Sequence, residues 1–308
     1  MDKEHEAIQK MQLAGKMSLT YYKQPLIICN SGGKDSLVLI EIAKRSGIPF
    51  EVMHSHTTAD APETVYYVRQ QMKELEDAGI KVEIKMPTYQ GNPINMWSLI
   101  PLMGTPPTRI ARYCCRILKE TGGENRAIAT GVRNSESSKR SSRRFAEAII
   151  NPLKDAPKID YEDAAQVFES DMRGSRQFVE HDNIFISSCK LKGKTSFQPI
   201  IDWSDRDIWE FIRGNNLEYN SLYDERDMCR VGCIGCPMAN KGRYKEFIRW
   251  PKYREMYIRS FGKMLEVLKA RGANIRWKSA QDVFDWWMQD DNVPGQMSFD
   301  DMKWGDTN

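Results

Sequence analysis

The seven residues Asn30-Ser31-Gly32-Gly33-Lys34-Asp35-Ser36 concentrate more chemistry than any other stretch of this chain. The two glycines permit positive φ and let a bound group come close to the backbone. A helix that starts just after them turns its free N–H groups and its dipole towards an anion. Ser31 and Ser36 add hydroxyl donors, and Lys34 adds a cation. The stretch reads as a phosphate cradle. It lacks the longer Gly-bounded loop and Lys-Ser/Thr pair of a P-loop. It also lacks the third glycine of a dinucleotide fingerprint.

A second constellation is made of thiols. The seven cysteines are Cys29, Cys114, Cys115, Cys189, Cys229, Cys233 and Cys236. Cys114 and Cys115 are adjacent, and Cys233-x-x-Cys236 is followed by Pro237. Two separated thiol groups can converge on one centre, and four thiolates suit either zinc or an iron–sulfur cluster. Adjacent cysteines must bend the chain sharply to share one zinc ion. A cluster with separate metal corners accepts them more readily, which favours [4Fe–4S]. A redox dithiol at Cys233 and Cys236 is a further reading. Cys229 is a fifth thiol. It can be a nucleophile or persulfide carrier, an alternative ligand, or a spare. Cys29 reads as a small buried hydrophobe and Cys189 as a surface thiol.

Strands and helices must place these groups. The apolar run Leu26–Asn30 reads as a buried strand that feeds the glycines, and a helix follows over 36–46. Phe50–His54 and Lys81–Met86 read as strands with a helix over 61–78 between them, and 124–132 and 183–187 as further strands. Alternating strands and helices predict a mostly parallel sheet. Such a sheet binds ligands beyond the carboxyl ends of its strands, where the loop at Ser31 lies. Residues 91–107 read as an irregular excursion, and 152–182 as an insertion or mobile lid. Ser204 is the expected cap of a Trp-bearing helix, and the chain from Arg243 onward reads as mostly helical. This gives a leading helix (1–22), a nucleotide-binding α/β domain (23–215) and a C-terminal cysteine-bearing helical region (216–308).

Composition narrows the class. In 308 residues, 41% hydrophobic and 28% charged content fit a globular protein, and no apolar run is long enough to span a membrane. The first residues are charged and helical in pattern, without a signal-peptide core, so a cytoplasmic location is expected. The formal net charge is only +3, but between Arg109 and Arg144 ten Lys/Arg face three Glu. Such a stretch suits a nucleic acid or a nucleotide-phosphate pocket.

Six segments together resemble the phosphoadenosine-phosphosulfate reductase family of the PP-loop superfamily. They are Ser31–Ser36, the HTTADAPET segment from His56, Arg112-Tyr113-Cys114-Cys115 with Lys119, Thr130–Arg133 through Arg140, Pro199–Trp209, and Tyr219–Asp224 leading into Gly232–Cys236. The resemblance implies an adenine-nucleotide α-hydrolase-like, Rossmann-like α/β fold: a parallel sheet of five or six strands with helices on both faces. It implies a [4Fe–4S] cluster and carries its ligands onto Cys114, Cys115, Cys233 and Cys236. It places ATP on Ser31, Gly32, Gly33, Lys34, Asp35 and Ser36, with Mg²⁺ near Asp35 and further contacts from His56, Arg133 and Arg140. Two departures qualify it. The sulfonucleotide reductases of the family use a cysteine in a C-terminal E-C-G-x-H segment, and no cysteine follows Cys236 in this sequence. Their phosphate loop usually departs from S-G-G-x-D-S, which is intact here. Both favour ATP cleavage between the α and β phosphates and sulfur transfer, as in DNA phosphorothioation and tRNA thiolation enzymes. Lys34, Asp35 and Cys229 are then the candidate catalytic residues. DNA or tRNA is the candidate acceptor, a cysteine desulfurase the sulfur donor and a homodimer one possible assembly. Two alternatives stay open: reduction of adenylyl sulfate or its 3′-phosphate, and a non-catalytic nucleotide sensor in a modification or defence system.

Overall fold

Leu26–Asn30 is apolar on both faces, and the sheet is organised around it. The computed structural model describes residues 2–136, 144–149, 158–172, 194–225, 230–239 and 242–289. Its strands are β1 (Leu26–Asn30), β2 (Phe50–Ser55), β3 (Lys81–Lys85), β4 (Thr88–Tyr89), β5 (Asn92–Pro93), β6 (Ala127–Ala129), β7 (Ala146–Ile149), β8 (Lys158–Ile159) and β9 (Lys194–Phe197). Its α-helices are α1 (Lys3–Met17), α2 (Lys34–Ser46), α3 (Pro62–Asp77), α4 (Met96–Met103), α5 (Tyr161–Met172), α6 (Asp205–Gly214), α7 (Gly242–Arg249), α8 (Pro251–Ala270) and α9 (Ala280–Met288). Two compact units interleave along the chain. Residues 1–54, 62–85 and 122–231 make the first, and 55–61, 86–121 and 232–308 the second. The second unit is thus assembled from three stretches, where the sequence suggested one contiguous C-terminal region.

The first unit holds a sheet of order β3-β2-β1-β6-β9-β7-β8. β2, β1, β6 and β9 pair in parallel. β7 runs antiparallel to both β9 and β8, so an antiparallel pair extends the expected parallel sheet. From β1 the chain builds outwards through β2 and β3, then returns to the other side of β1 at β6. The strand order therefore reverses at β1, the position where parallel sheets open a crevice for ligands. Leu26 and Ile28 point into the large core with α1, α2, α3 and α6, while Ile27 meets Met53 and Ile128 on the opposite face.

Three differences from the sequence reading have local causes. Residues 91–107 contain α4, because Asn95 and Ser98 form a reciprocal capping box ahead of the apolar run MWSLIPLM. Within the expected insertion the chain forms a helix, α5, held by ring contacts: Phe168 meets Tyr21 edge-on at 6.2 Å, and Tyr161 meets Phe145 at 5.5 Å. β9 is a central strand without an apolar run, since Thr195 and Ser196 are buried and Tyr22 hydrogen-bonds Thr195 at 2.6 Å. The expected strand at 183–187 lies outside the described residues. Among the described residues no helix is long and apolar enough to cross a membrane.

Ser204 caps α6 as expected, in a box with Asp207. The Lys3 ammonium, opposed by partial burial and helped by the Ser204 hydroxyl and N–H, holds the Asp207 carboxyl down at about 2. A depressed folded-state value adds stability above the unfolded value of about 3.9, and that stability is lost as pH falls through the folded one. Asp207→Asn should therefore melt below the wild type at pH 6, with the gap closing between about pH 4 and 2. Thermal melts at each pH test this, and a gap that is constant with pH contradicts it.

Candidate nucleotide loop and thiol centre

β1 ends at Asn30, and α2 begins at Lys34 with Gly33 as its cap. Gly32 lies at φ +73, and a Cβ there would sit 2.7 Å from Val68 and 2.9 Å from Thr64. Only glycine fits both the left-handed backbone and the close approach of α3. Asn30 organises the turn: its Oδ1 accepts the Gly32 N–H at 2.9 Å and the Ser36 hydroxyl at 3.3 Å. Its Nδ2 donates to Gln71 at 2.7 Å. Ser36 also donates to the Gly33 carbonyl at 2.8 Å, and Ser31 donates to Ser36 at 3.2 Å. The loop is therefore pre-shaped, with the N-terminus of α2 as its floor.

Two further elements of the first unit hold it. From the Tyr219–Asp224 turn, Asn220 donates to the Gly32 carbonyl at 3.3 Å and to Thr64 at 3.1 Å. The Tyr223 hydroxyl accepts the Lys34 N–H at 3.2 Å, and burial pushes this phenol up to about 12, so it stays protonated. Beneath the loop, Lys34 Nζ lies 2.8 Å from Asp205 and 3.3 Å from Asp35. Arg133, also buried, reaches Asp35 at 2.6 Å and Asp205 at 3.1 Å. Burial alone would raise the Asp205 carboxyl, yet Lys34 and Arg133 hold it below the ordinary carboxylate value. Arg133 also donates to the Trp203 carbonyl at 3.3 Å, and Asp202 pairs with Lys10 at 2.8 Å. Arg133, expected on phosphate, is thus the clamp of an alternating cluster of two cations and two carboxylates. Gly131 explains the tight fit, since a Cβ there would meet the Asp35 backbone at 3.0 Å.

The second unit holds the thiols. Cys114 and Cys115 open a π-helical turn over Cys115–Lys119, and the buried Tyr113 anchors it by donating to the Thr105 carbonyl at 2.6 Å. Gly235 lies at φ +72 between Cys233 and Cys236, under Phe247, Tyr257 and Trp287. Glu246 accepts the Gly235 N–H at 2.6 Å, and Tyr257 donates to the Ile234 carbonyl at 2.9 Å. Arg109 ties the two thiol pairs together by donating to the Pro237 carbonyl at 3.2 Å. Arg112 donates to the Cys115 sulfur at 3.5 Å. The hydrogen bond from Cys114, against burial and aided by Arg112, lowers the Cys115 thiol, while that same bond and burial raise Cys114. The Cys114 thiol also feels the charges of Cys233 and Cys236. Burial, and then the Asp60 charge, push Cys233 up to about 12.

Four soft donors, half-buried and grouped, fit a thiolate-bound metal centre, either zinc or an iron–sulfur cluster.

Of the other expected site residues, His56 belongs to the second unit, where Nδ1 lies 3.7 Å from Asp60. Cys229 and Arg140 lie outside the described residues. Sequence reading missed Asn30, Asn220, Tyr223 and Asp205 as site residues. Tyr219–Asp224 was in view as a segment, but nothing in its composition says that it folds over the glycines.

Over most of its length the chain resembles an uncharacterised protein of Methanocaldococcus jannaschii, with 27% identity over 88% of this chain and 56% of that one. It therefore spans about half the length of that relative. A shorter match, 32% identical over 28% of this chain and 34% of the relative, is to an adenosine 5′-phosphosulfate reductase of Oceanobacillus iheyensis. Among solved structures, the U34-tRNA thiolase NcsA from Methanococcus maripaludis with its [4Fe-4S] cluster aligns over 87% of this chain and 81% of that one, with TM-score 0.40 and 13% identity. Residues 25–239, which hold the glycine loop and all four grouped cysteines, match the phosphoadenosine phosphosulfate reductase domain, and the chain belongs to that family.

Proposed function

We propose that this chain binds ATP on Ser31–Ser36 and cleaves it between the α and β phosphates in support of sulfur transfer. An acceptor oxygen attacks the α-phosphorus and pyrophosphate leaves. Sulfur then attacks the adenylated carbon, and AMP leaves with the oxygen; where the sulfur arrives as a persulfide, a thiol reductant supplies the two electrons that cut the S–S bond. The observation that carries this reading is the loop, a left-handed Gly32 and a capping Gly33 that open α2 at the switch point of the sheet. The N–H groups at the start of α2 and the Ser31 and Ser36 hydroxyls would bind the β and γ phosphates. Lys34 would turn from Asp205 and Asp35 to the leaving pyrophosphate, which leaves Asp35 Oδ2 for Mg²⁺ while Arg133 keeps Oδ1. Catalysis here is positioning and charge stabilisation.

Cys114, Cys115, Cys233 and Cys236 would hold a [4Fe–4S] cluster. Such a cluster supplies either an iron site for sulfur or a structural staple. Nucleic acid is the proposed acceptor class, supported by ten basic against three acidic residues between Arg109 and Arg144, and a cysteine desulfurase is the proposed sulfur donor. The match to an adenosine 5′-phosphosulfate reductase favours a second reading, reduction of adenylyl sulfate, which sulfite release with a thiol reductant would reveal.

Anaerobic purification followed by iron and acid-labile sulfide analysis tests the thiol centre. About four of each per chain are expected. Stoichiometric zinc without iron contradicts the assignment.

A further inference from the structure

The segment Ser55–Ala61 does more in the second unit than connect β2 to α3. Asp60 and Cys233 pair through their backbones, and Ile234 N–H donates to the Ala59 carbonyl at 2.8 Å. This brings two buried side chains to the Cys233 sulfur. Thr57 Oγ1 lies 3.2 Å from it and Asp60 Oδ1 lies 4.0 Å from it. The other Asp60 oxygen accepts the Thr57 N–H at 3.0 Å, which holds the pair together.

Hydrogen-bond polarity gives this contact a direction. Ala59 N–H donates to Thr57 Oγ1 at 3.3 Å, which uses one of the oxygen's lone pairs. The hydroxyl proton can then turn to the sulfur. A protonated Cys233 can donate to Thr57, but a metal-bound sulfur has no proton and must accept. Asp60 acts the other way, since a carboxylate beside a thiolate repels it. Hydrogen bonds to ligand sulfurs and the net charge around a cluster are among the factors that set its reduction potential.

We propose that Thr57 and Asp60 are opposed positioning residues for a metal-bound Cys233: the Thr57 hydroxyl donates to its sulfur, and the Asp60 carboxylate sets negative charge against it. The inference rests on the cluster reading above and adds to it. Thr57 favours the reduced, more negative cluster, and Asp60 disfavours it.

The test is a redox titration of the full chain, purified anaerobically and followed by absorbance and electron paramagnetic resonance, with iron content measured on the same samples. Thr57→Val should shift the midpoint to more negative potential, and Thr57→Ser should restore it. Asp60→Asn, which keeps an oxygen for the Thr57 N–H, should shift it to more positive potential. Opposite signs at full iron content support the inference, because a merely structural role would cost iron without moving the potential of what remains. If Thr57→Val loses its cluster, Thr57→Ser at the wild-type midpoint together with a positive shift in Asp60→Asn still supports it. Wild-type midpoints in both Thr57→Val and Asp60→Asn, with iron retained, overturn the inference alone. A wild-type chain without iron overturns the cluster reading, and this inference with it.

Discussion

Replacing Lys34 with alanine should slow pyrophosphate release from ATP by on the order of 100-fold and leave the iron content unchanged. Lys34 is buried at the first turn of α2, and its ammonium is 2.8 Å from Asp205. In the resting loop it is a counter-ion to carboxylates. In the proposed reaction it would be the cation that meets the developing pyrophosphate charge. Removing a pre-placed donor of this kind typically costs a few kcal/mol of barrier. The fold should tolerate the change, because Arg133 still neutralises Asp35 at 2.6 Å and Asp205 at 3.1 Å. Steady-state pyrophosphate assays beside iron analysis check both halves. Release at the wild-type rate would mean that the loop is not the phosphate cradle.

The second large effect is expected at Gly235. Its φ of +72 already disfavours any side chain, and an added Cβ would sit 2.6 Å from Phe247, 2.9 Å from Tyr257 and 3.1 Å from Trp287. These rings cannot simply give way. Tyr257 and Trp287 stack at 4.6 Å, and the Trp287 indole donates to the Pro107 carbonyl at 2.6 Å. Left-handed strain of about 1–2 kcal/mol and overpacking of about 1–3 kcal/mol should add to a loss of about 2–5 kcal/mol. The strain falls between Cys233 and Cys236, so Gly235→Ala should lose both thermal stability and iron. Differential scanning calorimetry with iron analysis measures this, and a variant with wild-type melting and full iron would show that the turn is not constrained as described.

The glycine loop was legible in the sequence because its chemistry is local: strand, turn, cap and helix lie within Leu26–Ser46. The adjacent Cys114-Cys115 and the Cys233-x-x-Cys236 pair were visible in the sequence, while their joining into one ligand set came from the family resemblance. What escaped is non-local. Asp205 is an ordinary acidic residue in the first turn of α6 until Lys34 and Arg133 are placed beside it. Tyr223 joins the site only because the Tyr219–Asp224 turn folds onto Lys34. Thr57 and Asp60 meet Cys233 through a backbone bridge across more than 170 residues of chain, which no periodicity records. β9 was missed for the same reason, since KTSF is buried by its neighbours and not by its own hydrophobicity.

The most direct measurement is product analysis of ATP labelled at the α and γ phosphates, incubated with the full chain, Mg²⁺ and candidate nucleic acids. The expected result is pyrophosphate release with AMP or an adenylated acceptor, slowed on the order of 100-fold in Lys34→Ala. Release of inorganic phosphate with ADP, or no turnover with any acceptor while adenylyl sulfate is reduced to sulfite, would contradict cleavage between the α and β phosphates as the function of this loop.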